Sequence, residues 1–251
     1  MSWYRPQATE ITPESAGWGF TGLRIVRDNH AGTTGQNEMV VVPLAGSCTV
    51  GCQPAKIELT GRPNVFAGVT DCAYLPPDTE YTITGTGRFA LATARAAGKL
   101  PVRYIAADQV RVEHRGAGVC ARQVNNFGTP DVLDADRLIA CEVLTPAGNW
   151  SSYPPHKHDN ERTGESVLEE IYYFEVADGP AGPGMGYLKA AEVLAEVRTG
   201  DVVLVPYGYH GPAMAVPGYD MYYLNVMAGP GKREWLICED PAHSWIRETW
   251  R

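Results

Sequence analysis

The sequence predicts an all-β chain built from two barrel-like halves. Three observations carry that expectation. The 251 residues include 27 glycines and 19 prolines, a density suited to many short strands joined by tight turns. The apolar runs between these breakers are short and rich in β-branched and aromatic residues, which pack well on a pleated surface. The halves also echo each other: Asp71-Cys72-Ala73-Tyr74-Leu75-Pro76-Pro77 parallels Asp201-Val202-Val203-Leu204-Val205-Pro206-Tyr207. Tyr81 follows Pro77 by four residues, as His210 follows Pro206, which marks a degenerate internal repeat.

In chain order, residues 23–26, 39–44, 48–52, 56–59, 71–75, 81–84 and 89–95 read as strands separated by Gly, Pro, Asn or Asp. Residues 101–124 are mixed and polar and read as the connection between halves, with a strand at 109–115. His114 in that strand has no partner nearby in sequence and reads as an exposed strand residue. The expected division is a first barrel over 1–115 and a second over 116–251. Strands at 119–127 and 138–144 open the second half, with turn-rich loops at 125–130 and 146–150. Further strands follow at 170–176, 202–205, 213–216, 221–227 and 235–238. Only residues 188–198 resemble a helix, through their Ala and Glu content, although 195–198 would equally extend a strand into the turn at Thr199-Gly200. The aromatic tail at 240–247 is expected to dock on the body.

A net charge of −8 without any Lys/Arg cluster argues against a nucleic-acid surface. Small-molecule chemistry is the better expectation. No basic segment followed by an apolar stretch opens the chain and no apolar run is long enough to span a bilayer, so a cytoplasmic location is expected. The six cysteines, Cys48, Cys52, Cys72, Cys120, Cys141 and Cys238, form no C-x2-C pair. They are expected to be reduced and mostly buried.

The chemistry concentrates in Tyr153-Pro154-Pro155-His156-Lys157-His158. Pro-Pro favours extended structure, and on a strand His156 and His158 share a face, where two imidazoles can hold one divalent metal. The run 170–176 places Glu170, Tyr172 and Phe174 on one face of the next strand. His210 follows Gly200-Asp201-Val202-Val203-Leu204-Val205-Pro206-Tyr207-Gly208, another strand ended by a Pro/Gly turn. Three histidines and one carboxylate can form a metal site with positions open for water or substrate. The first half has no H-x-H, and its His30 lies in Asp28-Asn29-His30-Ala31-Gly32, a loop by composition. The first barrel is therefore expected to be structural.

H-x-H, then Glu, then a Gly-x5-Pro-x-Gly turn followed by His, resembles the two metal motifs of the cupins, and the duplicated halves resemble a bicupin, two tandem double-stranded β-helix (jelly-roll) barrels. Three longer stretches, 148–159, 168–173 and 217–230, resemble the 5-deoxy-glucuronate isomerases of myo-inositol catabolism. Residues 240–247 are similar to the same family, whereas the first half matches mainly in architecture. The resemblance extends to the related 4-deoxy-L-threo-5-hexosulose-uronate ketol-isomerases, and it implies His156, His158, Glu170 and His210 as metal ligands. Two features depart from the common cupin pattern. Glu170 stands twelve residues after His158 where four or five is usual, so Glu165 and Glu169 compete for the role, with Glu170 preferred for its parity with Tyr172 and Phe174. The second motif is one residue short between Gly208 and His210, and Met214 stands where an asparagine is common.

The resemblance implies aldose–ketose isomerisation of 5-deoxy-D-glucuronate to 5-dehydro-2-deoxy-D-gluconate through an enediol. Such a reaction needs a proton-transfer group, stabilisation of negative charge on oxygen, and recognition of a carboxylate. Zinc is the preferred metal because no redox change occurs, and manganese, iron or nickel could occupy the same ligands. Glu142 and Tyr223 are the catalytic candidates, Arg137 and Lys157 the carboxylate-binding candidates, and Arg122 a further one without a spacing argument. Lys157 alternates away from the two histidines on an ideal strand. The expected partner is a small sugar acid, with a homo-oligomer left open. An iron-dependent cupin dioxygenase and a non-catalytic sugar-acid-binding cupin are the alternatives.

Overall fold

Strand pairing sorts the chain into three antiparallel sheets in the computed structural model, which describes residues 2–250. The first half forms one curled eight-stranded sheet. Its path runs Glu10–Ile11, Thr21–Arg27, Glu80–Arg95, Asn37–Cys52, Cys72–Leu75, Arg103–Ile105, with His30–Thr33 and Ala55–Arg62 attached to the two long strands. Residues 39–44 and 48–52 are one strand, and so are 81–84 and 89–95. The glycines between them bend the strands without ending them. Gly46 has φ +87, a Cβ there would lie 2.1 Å from the Thr86 carbonyl oxygen, and a bulge shifts the register between Pro43 and Ala45. His30 opens a short edge strand rather than lying in a loop.

The second half closes around two sheets. The seven-stranded sheet runs Tyr4–Arg5, Val202–Val205, Glu169–Val176, Met221–Ala228, Ile139–Thr145, Arg122–Asn126, Arg111–Arg115. Facing it, the six-stranded sheet runs Val193–Val197, Gly186–Ala190, His210–Ala215, His156–Lys157, Cys238–Glu239, with Trp150–Ser151 on His210–Ala215. The hairpin of Arg111–Arg115 with Arg122–Asn126 straddles the division expected at 115/116 and belongs wholly to the second half's sheet. So does Tyr4–Arg5, from the start of the chain.

The helix-like stretch 188–198 is instead a β-hairpin. Leu188, Ala190, Ala195 and Val197 are buried and Lys189, Leu194 and Glu196 exposed. This period-two burial overrides the helix-forming composition, and Ala191 at φ +44 helps close the turn. Of the strand expected at 235–238 only Cys238–Glu239 pairs, because Trp235 turns inward against the barrel core. No helix among the described residues is long and apolar enough to cross a membrane. All six cysteines are free thiols, and five are buried.

Three apolar clusters hold these layers. One fills the first barrel around Met39, Val41, Val50, Tyr81 and Phe89. Another fills the second around Tyr172, Phe174, Leu188, Val203 and Tyr223. The third joins the halves, with Val40, Val42, Ala90 and Ala92 facing Ile171, Tyr173, Leu224 and Val226. Buried and half-buried carboxylates cross this seam in both directions. Glu38 accepts the backbone N–H groups of Asp136, Arg137 and Leu138 at 2.8, 2.7 and 2.6 Å and the Tyr74 hydroxyl at 2.8 Å. Glu169 accepts those of Gly19, Phe20 and Thr21 at 2.6, 2.9 and 2.9 Å. Arg62 pairs with Glu142 and Arg88 with Glu175, again across the halves. Each of these four carboxylates thereby finds hydrogen-bond donors for the charge it carries out of water.

Candidate metal centre and its cavity

Glu170, Tyr172 and Phe174 point into the second barrel, while Ile171 and Tyr173 join the seam. Across the barrel, His156 and His210 are direct antiparallel partners. The fold thus brings His158, Glu170 and His210 together, with their candidate ligand atoms within 4.8 Å of one another, all buried. His156 flanks the trio, its ring centroid 4.4 Å from that of His210 and 6.4 Å from that of His158. The two competing glutamates are committed elsewhere. Glu169 binds the backbone of residues 19–21, and Glu165 accepts from Lys157 Nζ at 2.9 Å and Arg162 Nε at 2.7 Å.

Backbone carbonyls orient the rings. His156 Nδ1 donates to Pro154 O at 3.3 Å, His158 Nδ1 to Leu168 O at 2.9 Å and His210 Nδ1 to Gly208 O at 3.2 Å. Nδ1–H is fixed in all three, which turns each Nε2 toward the cluster in the way metal-ligating histidines are held. His158 Nε2 lies 3.0 Å from Glu170 Oε2. His210 Nε2 lies 3.0 Å from the same oxygen but is not aligned for a hydrogen bond, and so remains a buried nitrogen without a partner. Burial alone would raise the Glu170 carboxyl, but His158 and His210 outweigh it and hold the group well below the usual carboxylate range. Burial lowers His156, and the neighbouring His210 lowers it further. His158 moves up despite burial because it faces Glu170. An anionic oxygen amid converging imidazole nitrogens, one of them unpartnered, fits a divalent cation by donor chemistry and by its need for one more positive centre.

The cluster opens into a cavity of about 320 Å³ whose lining includes His156, Glu170, Tyr172, Tyr223, Asn225 and arginines 115, 122 and 247. This volume lies at the small end of ligand sites. A chain of hydroxyls reaches the wall at Ser152, Tyr172 and Tyr223. Thr145 Oγ1 and Ser151 Oγ are 2.7 Å apart, and Tyr223 OH donates to Ser151 Oγ at 3.0 Å. Ser152 Oγ lies 3.4 Å from Tyr223 OH and 2.9 Å from Tyr172 OH. Ser152 takes φ +46, a conformation costly for a non-glycine residue and characteristic of constrained sites. Burial pushes the Tyr223 phenol up to about 12, although hydrogen bonds with Ser151 and Ser152 pull the other way.

The other sequence candidates lie outside this cavity. Glu142 is on the opposite face of its strand, where Arg62, Tyr222 OH at 2.8 Å and Asn125 Nδ2 at 3.2 Å occupy its carboxylate. Arg137 donates to the carbonyls of Gly229 and Pro230 at 2.9 Å and stacks on Phe20. Lys157 turns away from the histidines to Asp159 and Glu165. What the spacing missed is Arg115, Asn225, Glu239 and Arg247, which tertiary packing alone brings to the cavity. The amide nitrogen of Asn225 is buried there without a partner. The aromatic tail does dock: Ser244–Thr249 forms a 3₁₀ helix, Arg247 pairs with Glu239, and Trp250 stacks on Arg122 and Arg247.

Paired antiparallel barrels, one of which gathers histidines and a glutamate around a cavity, define a bicupin. A crystal structure of an oxalate decarboxylase from Lactobacillus farciminis superposes with a TM-score of 0.61 at 10% identity, covering 92% of this chain and 82% of that one, a likeness of fold alone. The chain belongs to the KduI/IolB family, whose model matches residues 4–246. A 5-deoxy-glucuronate isomerase of Geobacillus thermodenitrificans is 39% identical, over 95% of this chain and 90% of that protein. One from Bacillus subtilis strain 168 is 38% identical, over 85% and 81%. The crystal structure of an IolB-like protein from Salmonella typhimurium matches with a TM-score of 0.86 and 35% identity, covering 95% and 94%.

Proposed function

We propose that this chain is a 5-deoxy-glucuronate isomerase that converts 5-deoxy-D-glucuronate to 5-dehydro-2-deoxy-D-gluconate, an aldose-to-ketose step of inositol catabolism. The observation that carries the reading is the joining of the His158–Glu170–His210 cluster, in a chain of this family, to a small cavity with a buried phenol beside it. His158, Glu170 and His210, with His156 completing the set, would hold a divalent metal. Zinc suits their nitrogen and oxygen donors and a reaction without redox change. When bound, it would polarise the substrate carbonyl and neighbouring hydroxyl as a Lewis acid.

The chain's own groups supply the proton handling. At neutral pH Tyr223 keeps its proton, which can turn from Ser151 Oγ to a substrate oxygen as negative charge develops there. The hydroxyls of Ser151 and Ser152 hold it in position. The proton that leaves one carbon needs a base that returns it to the neighbouring carbon, and of the carboxylates lining the cavity Glu239 is the one not engaged with the histidines. Its Oε1 is held by Arg247 Nε at 2.6 Å, which leaves Oε2 to act. The free thiols are compatible with a cytoplasmic setting.

The test is conversion of 5-deoxy-D-glucuronate under anaerobic conditions by the metal-loaded protein, before and after chelation. Turnover that chelation abolishes and zinc restores is expected. Oxygen consumption in place of isomerisation would overturn the reading. Tyr223→Phe is expected to lower kcat about 100-fold with little change in KM, the usual scale for loss of a proton-transfer group. An unchanged kcat in that variant would remove Tyr223 from the chemistry.

A further inference from the structure

We infer that Arg122 is the specificity-determining residue of this cavity, the seat of the substrate's carboxylate at the far end from the histidine cluster. The inference rests on the isomerase reading for the identity of the substrate and on the cavity for the site itself. Three guanidinium groups line that wall, and they are not equivalent. Arg115 is neutralised by Glu113, whose Oε2 lies 2.7 Å from its Nε, and it stacks on Trp235. Arg247 is neutralised by Glu239. Arg122 has no acidic partner among the described residues. Its Nη1 donates to Cys120 O at 3.1 Å and its Nη2 to Tyr153 O at 3.3 Å, which leaves the remaining N–H groups of the fork uncommitted.

Packing holds this free fork in place. Trp250 lies against both Arg122 and Arg247, 5.5 and 5.2 Å from ring centroid to guanidinium carbon, so the docked tail fixes the Arg122 plane. Burial and the nearby Arg115 and Arg247 all disfavour its charge. An uncompensated, half-buried guanidinium in a small cavity is completed by a planar anion of matching geometry, and a carboxylate accepts the fork in bidentate fashion. An open-chain sugar acid carries its carbonyl at one end and its carboxylate at the other. Strand register sets the two groups apart along the barrel: Glu170 is level with Met227 and Ile139, whereas Arg122 lies beyond the Gln123–Leu144 pair, toward the opposite end of the same strand.

The experiment compares two substrates, 5-deoxy-D-glucuronate and the neutral aldose in which a hydroxymethyl group replaces the carboxylate. Wild type is expected to favour the acid at least 100-fold in kcat/KM. Arg122→Met is expected to reduce that preference to within a few-fold, through a KM for the acid raised 30-fold or more, while kcat/KM for the neutral aldose stays unchanged. Arg122→Lys keeps the charge without the fork and should fall between, whereas Arg247→Gln, which disturbs Glu239, should lower kcat/KM for both substrates alike and leave the preference for the acid in place. Metal content and thermal melting check that each variant is folded. Retained preference in a folded Arg122→Met, or equal loss for both substrates, would overturn the inference. Calorimetric binding of D-gluconate, which has no aldehyde to turn over, separates the two readings. If wild type converts neither substrate, the isomerase assignment fails, yet gluconate should still bind at least tenfold more weakly to Arg122→Met. Equal gluconate affinity in the two proteins would overturn the carboxylate seat.

Discussion

Replacing Glu170 by glutamine is expected to abolish tight metal binding and to lower turnover about 1000-fold, because the cluster loses its only anionic donor and the Lewis acid with it. The shape of the side chain is kept, so the barrel should still fold. Glu169→Gln, one residue away, should keep the metal and lose far less turnover than Glu170→Gln, since Glu169 reaches the cluster only through the backbone that it anchors to residues 19–21. Elemental analysis alongside the steady-state rate reads both variants. A metal-replete, active Glu170→Gln would place the ligand elsewhere, with Glu165 the next candidate by sequence.

Glu142→Ala is expected to act on stability instead of chemistry. Its carboxylate is 1% exposed and the Arg62 guanidinium 3%, so truncation strands a buried charge at the seam, a loss of about 3–5 kcal/mol. Tyr222 OH and Asn125 Nδ2 would lose their acceptor as well. The double variant Arg62→Met with Glu142→Leu removes both charges and should recover most of that loss. Denaturant melts of the three proteins give the comparison, together with kcat corrected for the folded fraction, which is expected to remain within about threefold of wild type. A fall in corrected kcat with unchanged stability would return Glu142 to the chemistry.

The Glu142 outcome shows where sequence reasoning stops. On Glu169–Val176 a parity argument works, because Tyr172 and Phe174 mark the inward face that Glu170 shares. On Ile139–Thr145 every residue except Leu144 is buried, since one face meets the cavity barrel and the other meets the first half. A strand covered on both sides carries no alternation to read, so Glu142 could not be assigned to a face. His156, His158 and His210 were legible because H-x-H and a Pro/Gly turn are local patterns. Glu239 and Arg247 were not, because the docking of residues 238–250 onto the barrel sets their positions, and Arg115 was not, because its strand reaches the cavity only by pairing with Arg122–Asn126. Arg122 could be named but not argued, since what distinguishes it is the absence of a counter-ion, which only the folded chain reveals. The long strands were legible in pieces, their glycines reading as ends where they act as bends.

The carboxylates exchanged across the seam have a consequence for the precision of the chemistry. Glu169, anchored on three N–H groups of residues 19–21, is the covalent neighbour of Glu170. Glu38, reaching the other way, clamps residues 136–138 just ahead of Ile139–Thr145, the strand whose Val143 lines the cavity. Two elements of the reactive barrel are therefore indexed against a barrel in which no histidine cluster is found among the described residues. That half works as a jig, and its own geometry sets the tolerance to which the ligands are placed. Looseness introduced there, tens of residues from any reacting atom, would be felt as misalignment at the cluster.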